Sequence, residues 1–293
     1  MDTGTLKKSV LIFGCGYIGL ELSRVCLEKG WSVSAFTRNQ EAAKTAEGMG
    51  AQAYTGNLES DQWWGEIPPG FTYVVNAVGA ASPSVQGYEQ SYLRGMRSML
   101  GWIDQGKQEL DALVFTSSSS VYPQTDGSLV TEESSSAGVS ERGKILLAAE
   151  RECLEGVPQL CRSRKVIRFS GLYGPGRHLL VDKIRRGEPM SGCPNRFLNL
   201  LHRDDAVSAI LSALDAPPGS DVFNACDGQH ATRGEISKWV AQRVGVQPPE
   251  FIGASEDRGP HRRVANSKIM QRLGWCPRFP DFQSGYEDFL ASE

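Results

Sequence analysis

Six residues near the start of the chain have the spacing of a phosphate-binding turn. Gly14-Cys15-Gly16-Tyr17-Ile18-Gly19 is a G-x-G-x-x-G. In that pattern the first glycine permits a tight turn, the second lets a pyrophosphate approach the backbone, and the third lets helix and sheet pack closely. A helix opening at Tyr17 and Ile18 would turn its N–H groups and partial positive charge toward the anion. A glycine-rich turn can also be purely structural, so the flanking elements decide between the two readings.

The residue after the second strand selects the cofactor, because a carboxylate there bonds a ribose 2′-hydroxyl whereas an arginine suits a 2′-phosphate. The sequence reads Phe36-Thr37-Arg38-Asn39, with no acid between Gly30 and Gln40. This favours NADP over NAD, with Arg38 as phosphate clamp and Thr37 as helper; the alternative is that Arg38 is a solvated surface residue. Asn57 and Leu58 follow the third strand, where an adenine ring would lie. Ala77, Val78 and Gly79 follow the fourth and have the small size that the nicotinamide-side ribose requires.

The elements around these residues have the required order. Ser9–Phe13 is a short branched apolar run closed by Gly14, which predicts a buried parallel strand. Ile18, Leu22, Val25 and Cys26 recur at helical spacing until Gly30, and residues 31–36 read as the second strand. A helix over 41–49 and a strand over 51–54 complete a β–α–β–α–β unit. Strands at 71–76, 112–116 and 164–168, with helices over about 87–106 and 141–155, bring the strand set to six. This alternation predicts an α/β fold, a Rossmann doubly wound parallel sheet with helices on both faces. The rhythm loosens past residue 172, which predicts a dinucleotide-binding domain over 1–172. A smaller substrate domain would take 173–293, its strands and helices free to interleave with the first.

Composition excludes several other roles. The chain has 293 residues, 31 Lys and Arg against 34 Asp and Glu, and a net charge of −3. It therefore offers no basic field for a phosphate backbone, and no nucleic-acid partner is expected. Seven cysteines without a C-x-x-C pair predict neither a zinc site nor a disulfide framework, and point to a reducing, cytoplasmic setting. No signal peptide or membrane span is expected, and no metal site is predicted. Thirty-two glycines against 15 prolines suggest a backbone that must come close to something.

Several motifs in order carry a resemblance. Besides the glycine turn, the chain has Phe115-Thr116-Ser117-Ser118-Ser119-Ser120-Val121-Tyr122 and Arg168-Phe169-Ser170-Gly171-Leu172-Tyr173-Gly174-Pro175-Gly176-Arg177. It also has Asn199-Leu200-Leu201-His202-Arg203-Asp204-Asp205-Ala206 and Phe223-Asn224-Ala225-Cys226-Asp227-Gly228. In these the chain resembles the extended short-chain dehydrogenases/reductases, in their nucleotide-sugar epimerase/dehydratase-like branch. The resemblance implies hydride transfer at a carbinol or carbonyl carbon of a small, sugar-nucleotide-type substrate. It maps the substrate-polarising serine onto Ser118, beside Ser119, and the ribose-holding lysine onto Lys144. It also implies cofactor contacts at Phe169 and Gly171, substrate contacts at His178, His202 and Arg203, with a buried hydrogen-bonded histidine as the equal alternative for His202, and a homodimer through the two outer helices.

The resemblance breaks at the catalytic tyrosine. Four residues before Lys144 stands Ser140, and residues 140–155 contain no tyrosine. A serine hydroxyl is a far weaker acid than a phenol of pKa about 10. Either Tyr92, where the family commonly has an asparagine, serves in its place, or catalysis is lost and the chain is a non-catalytic NADP-binding sensor. Tyr92 can equally be a packing residue. Asp204 and Asp205 are expected as a helix cap and macrodipole partner. Cys15 is expected as a small side chain packed under the cofactor. Arg258, Arg262 and Arg263 form a basic cluster beside His261, either a solvated face or a diphosphate contact.

Overall fold

A computed structural model describes residues 7–253 and 259–290. Arg258 lies outside the described residues. The chain divides into two compact units that interleave along the sequence. The first takes Met1–Val121, Val139–Arg168 and Ala209–Phe223; the second takes Tyr122–Gly138, Phe169–Ser208 and Asn224–Glu293.

The first half of the chain alternates strand and helix as its apolar runs dictate. β1 (Ser9–Phe13), α1 (Tyr17–Glu28), β2 (Ser32–Thr37), α2 (Gln40–Gly48) and β3 (Gln52–Thr55) come first. β4 (Tyr73–Asn76), α3 (Val85–Tyr88), a π-helical segment (Glu89–Arg94) and α4 (Gly95–Gln105) follow. β5 (Leu110–Ser118), β6 (Leu129–Val130), α5 (Glu141–Glu155) and β7 (Cys161–Phe169) complete this half. Asn39 caps α2 by accepting from the amides of Glu41 and Ala42, and Ser140 caps α5 by accepting from that of Gly143.

Seven strands form one sheet in the order β11-β7-β5-β4-β1-β2-β3, where β11 is Gly219–Ala225. The pairs β1–β2, β2–β3, β1–β4 and β4–β5 run parallel. The six strands expected in this sheet are thus joined by a seventh. It lies beside β7 although some fifty residues of other structure separate the two, and this is why Ala209–Phe223 returns to the first unit. Val10 to Phe13 are fully buried, as a strand covered on both faces must be. Under one face Trp63 packs its ring 5.2 Å from those of both Phe13 and Phe36, with Trp102 at 5.6 Å.

The rest of the chain comprises β8 (Gly171–Tyr173), α6 (Leu179–Arg185), β9 (Met190–Ser191), β10 (Leu200–His202) and α7 (Arg203–Leu214). After β11 come α8 (Arg233–Val244), β12 (Phe251–Ile252), β13 (Arg263–Val264), α9 (Ser267–Leu273) and α10 (Phe282–Leu290). The second unit has its own core, in which Tyr173, Ile184, Ile236, Val240, Phe282 and Tyr286 pack together. Thr232 and Glu235 close a reciprocal capping box at the start of α8.

Candidate cofactor and active site

The strand order reverses at β1 and β4, and the carboxyl ends of strands at such a reversal are where open α/β sheets hold ligands. Gly14 leaves β1 at φ +92°, and its N–H donates to the Phe36 carbonyl at 2.8 Å. A Cβ on Gly14 would lie 2.7 Å from the Val78 backbone, and one on Gly19 would lie 2.0 Å from the Gly14 carbonyl oxygen. Both glycines are therefore demanded by close packing. Gly16 differs: a Cβ there would meet nothing within 4 Å. It precedes α1 without offering a side-chain cap, and the first turn of α1 holds no acid. An open, uncapped, acid-free helix start fits a pyrophosphate. Cys15 is buried with Sγ facing the Phe36 carbonyl, and burial pushes its thiol up to about 12, so it is a packed small side chain.

Thr37 is buried at the end of β2 and its hydroxyl accepts from the Asn39 amide at 3.2 Å. Arg38 is exposed and makes no ion pair among the described residues. Asn57 forms a turn by accepting from the Glu59 amide, and Leu58 is buried against Gly95. At the end of β4 the Ala77 amide donates to the Phe13 carbonyl at 2.8 Å, and the Val78 amide to Asn76 Oδ1 at 3.1 Å. A Cβ on Gly79 would meet nothing within 4 Å. The first unit thus brings Gly14, Val78 and the open faces of Gly16 and Gly79 to one sheet edge.

Other expected residues are placed differently. Ser118 ends β5 and its Oγ accepts from the Ser120 amide at 3.1 Å, while Ser119 begins a single 3₁₀ turn. Lys144 is turned outward: its Nζ pairs with Glu141 Oε1 at 2.6 Å, and its side chain is 60% exposed. The buried positions of α5 are Gly143, Leu146, Ala149, Glu150 and Cys153. The helix phase therefore takes the lysine away from the sheet, and the geometry does not bring Lys144 to the cofactor turn. Tyr92 lies in the π segment, its ring edge-on to Phe115 at 6.3 Å and 5.1 Å from Tyr88. Burial raises its phenol above the ordinary value, partly offset by the Ala80 backbone amide facing the oxygen.

A buried network here has no counterpart in the expected site. Ser117 donates to Glu150 Oε1 at 2.6 Å, and Arg168 pairs with Glu150 at 2.7 Å with both side chains almost wholly buried. The available signal was an acid within the apolar repeat Leu146-Ala149-Glu150-Cys153, at a position an exposed charge would not take.

Phe169, Gly171, His178, His202 and Arg203 belong to the second unit. Phe169 is buried at the end of β7, and the Gly171 amide donates to the Asn199 carbonyl at 2.9 Å. His178 stacks on Phe289 at 5.5 Å, with Nε2 3.4 Å from Asp182. His202 is fully buried between Tyr173 and Phe279; its Nδ1 accepts from the Asp204 amide, and burial lowers its pKa. Arg203 is held by Asp204 at 3.0 Å. Asp204 and Asp205 lie inside the first turn of α7, so they complement its dipole but do not cap it. Asp205 instead accepts from the amides of Arg278 and Phe279. The expected basic face is also partly internal, since Arg262 is buried and Arg263 donates to the Gly127 carbonyl. Among the described residues no group of three or more His, Cys, Asp or Glu is placed to hold a metal, and no helix is long and apolar enough to cross a membrane.

Comparisons with known proteins bear on the fold and the family. Protein YeeZ of Escherichia coli K12 is 27% identical over 280 residues, covering 94% of this chain and 97% of that protein. The fold matches that of a Thermotoga maritima UDP-glucose 4-epimerase solved with UDP-glucose, at a TM-score of 0.80 and 18% identity over 97% and 99% of the two chains. It also matches a Bacillus cereus UDP-glucuronic acid 4-epimerase solved with UDP-glucuronic acid and NAD, at a TM-score of 0.78 and 18% identity over 97% and 99%. The model of the NAD dependent epimerase/dehydratase family matches residues 10–226, from β1 through the seventh strand of the sheet, and the chain belongs to that family.

Proposed function

We propose that this protein is an NADP-dependent oxidoreductase or epimerase-like enzyme acting at a carbinol or carbonyl carbon of a small, sugar-nucleotide-type substrate. The observation that carries the reading is the glycine turn, closed by packing at Gly14 and Gly19 and open at Gly16, with Arg38 exposed and in no ion pair among the described residues, where an NAD enzyme would have a carboxylate. Gly14, Gly16, Tyr17, Ile18 and Gly19 would hold the pyrophosphate and Thr37 with Arg38 the 2′-phosphate. Asn57 and Leu58 would border the adenine, and Ala77 to Gly79 the second ribose. When bound, the cofactor gives or takes a hydride. The chain's own work is to fix it, orient the substrate oxygen through the Ser118 hydroxyl, and hold the proton. A small-molecule substrate and a homodimer belong to the same proposal, which includes no nucleic-acid or membrane partner.

Thermal unfolding with NADPH or NADH tests the cofactor directly. NADPH at about 100 times its Kd should add roughly 2.7 kcal/mol, and NADH at the same concentration much less. A shift with neither would reject the reading. Cofactor oxidation against sugar nucleotides, aldehydes and ketones then tests for turnover. One observation favours a second reading, a non-catalytic NADP-responsive protein: Ser140 caps α5 and Lys144 pairs outward with Glu141. NADPH binding with no turnover of any class would support it.

A further inference from the structure

The connection after β4 is helical from Val85 to Gln105, yet Glu89–Arg94 are wound as a π-helix between α-helical neighbours. Such segments shift the phase of the side chains and concentrate at functional sites. Tyr92 stands in this one. Its ring rests edge-on against Phe115, the register partner of Asn76, so it lies over the last residue of β4 and the part of β5 beside it. Its hydroxyl faces the backbone amide of Ala80, two residues beyond the Val78 backbone that seats Gly14. The phenol is therefore held at the sheet edge where the glycine turn and the open face of Gly79 converge.

The groups packed about it are few. Tyr88 lies on the same helical run with rings 5.1 Å apart. From α5, Arg142 stands over the Tyr88 ring at 5.6 Å and donates to the Pro83 carbonyl at 3.0 Å. This puts a guanidinium over the Tyr88 ring, on the α5 turn that also carries Ser140 as its cap and the exposed pair of Glu141 and Lys144.

We propose that the Tyr92 hydroxyl faces the nicotinamide of the bound cofactor and is the proton donor to the substrate oxygen, handled from the π segment and not from α5. The proposal rests on the hydride-transfer reading above. In reduction the Oη–H bond of Tyr92 breaks as an O–H bond forms on the former carbonyl oxygen, whose carbon has gained the hydride. The resulting phenolate recovers its proton from water. In oxidation the phenolate accepts the hydroxyl proton as the hydride leaves.

The test is the pH dependence of cofactor binding to the full chain. The positive ring of NADP⁺ favours a facing phenolate, and the neutral ring of NADPH does not. Burial holds the free phenol above the ordinary value of about 10, so between about pH 8 and about pH 10.5 the Kd for NADP⁺ should tighten several-fold against that for NADPH as the bound ring draws the phenol down. The trend should vanish in Tyr92→Phe and survive in Tyr88→Phe. In the wild-type protein, saturating NADP⁺ at the upper pH should raise tyrosinate absorbance by one phenolate and NADPH should not, a measurement independent of how the variant folds. A flat wild-type ratio, no tyrosinate, or an unchanged trend in Tyr92→Phe overturns the proposal. Failure of the wild-type protein to bind either nucleotide overturns instead the reading on which it rests. Where a carbonyl compound is turned over, Tyr92→Phe should lower kcat by about 100-fold or more with NADPH affinity kept; full turnover would also overturn it.

Discussion

Lys144 Nζ lies 2.6 Å from Glu141 Oε1, one turn back on α5, with both side chains more than half exposed. A lysine so placed cannot also reach a ribose at the carboxyl ends of β1 and β4 without giving up this pair and changing its direction from the helix. Exposed pairs of this kind contribute little, so Lys144→Ala should change stability by less than about 0.5 kcal/mol. Its NADPH affinity should stay within about twofold of wild type, roughly 0.4 kcal/mol. A tenfold loss in titration would show that the lysine swings inward to the cofactor.

Gly16 and Gly19 should separate binding from folding. At Gly16 an added methyl meets no protein atom, and φ is −91°, so Gly16→Ala should fold with an unchanged midpoint yet lose the NADPH-induced shift. At Gly19 the same methyl would stand 2.0 Å from the Gly14 oxygen. Gly19→Ala should lose the shift and also about 1–3 kcal/mol of stability, as overpacked sites do. Equal stability losses in the two variants, read by denaturant unfolding without cofactor, would contradict this account of the turn.

Under the proposed function, Arg38 sets the choice of cofactor. It is exposed with no ion pair among the described residues, so replacing it removes no intramolecular partner. Arg38→Glu should weaken NADPH binding by about tenfold or more, the scale of one charge-assisted hydrogen bond, and improve NADH binding. Isothermal titration with both cofactors reads the ratio. A variant with the wild-type preference would assign the 2′-phosphate to another group.

The alternation up to β5 could be read from the sequence because its cause is local. Runs such as Val10 to Phe13 are buried on both sides, and glycines close them. The glycine turn was legible for the same reason. What remained hidden depends on helix phase and on partners distant in sequence. The residues preceding Lys144 do not say which way it points; the burial of Gly143, Leu146 and Glu150 does. The π turn at Tyr92 leaves no periodic signature, since a six-residue change of pitch fits within the scatter of an apolar pattern. Asp205 looked like a helix-end acid, but its carboxylate serves amides more than seventy residues away.

The Ser117–Glu150–Arg168 network gives a stability prediction. Glu150 takes both a hydroxyl and a guanidinium, in a setting where its side chain is 4% and that of Arg168 is 9% exposed. Removing one partner strands the other charge, which costs about 3–5 kcal/mol. Glu150→Ala should therefore lose that much in denaturant unfolding. An Arg168→Met, Glu150→Leu double variant should recover most of it, because no buried charge remains. A double variant as unstable as the single would show that the network's geometry matters more than its charge.

Asp227 makes the second unit sensitive to pH in a direction opposite to that of a salt-bridged acid. Its carboxyl is buried, burial being the main cause that pushes its pKa up to about 8, with Asp281 and Asp205 adding repulsion and the Gln229 and Gly228 amides opposing. The folded state thus keeps a proton that the unfolded state releases near pH 4. Between about pH 4 and about pH 8 the unfolded state binds fewer protons, so stability falls with rising pH at up to about 1.4 kcal/mol per unit from this group. The loss is complete above the folded value and absent below the unfolded one. Asp227→Asn keeps Oδ1 as acceptor for the Gln229 amide, at 3.1 Å in the native chain, and carries no charge. The variant should match wild type near pH 4 to 5 and exceed it at pH 8, with a flatter profile between. Denaturant unfolding across that range decides: parallel profiles would show that Asp227 is ionised in the folded protein, and that its carboxylate has help from water or a partner beyond the two amides.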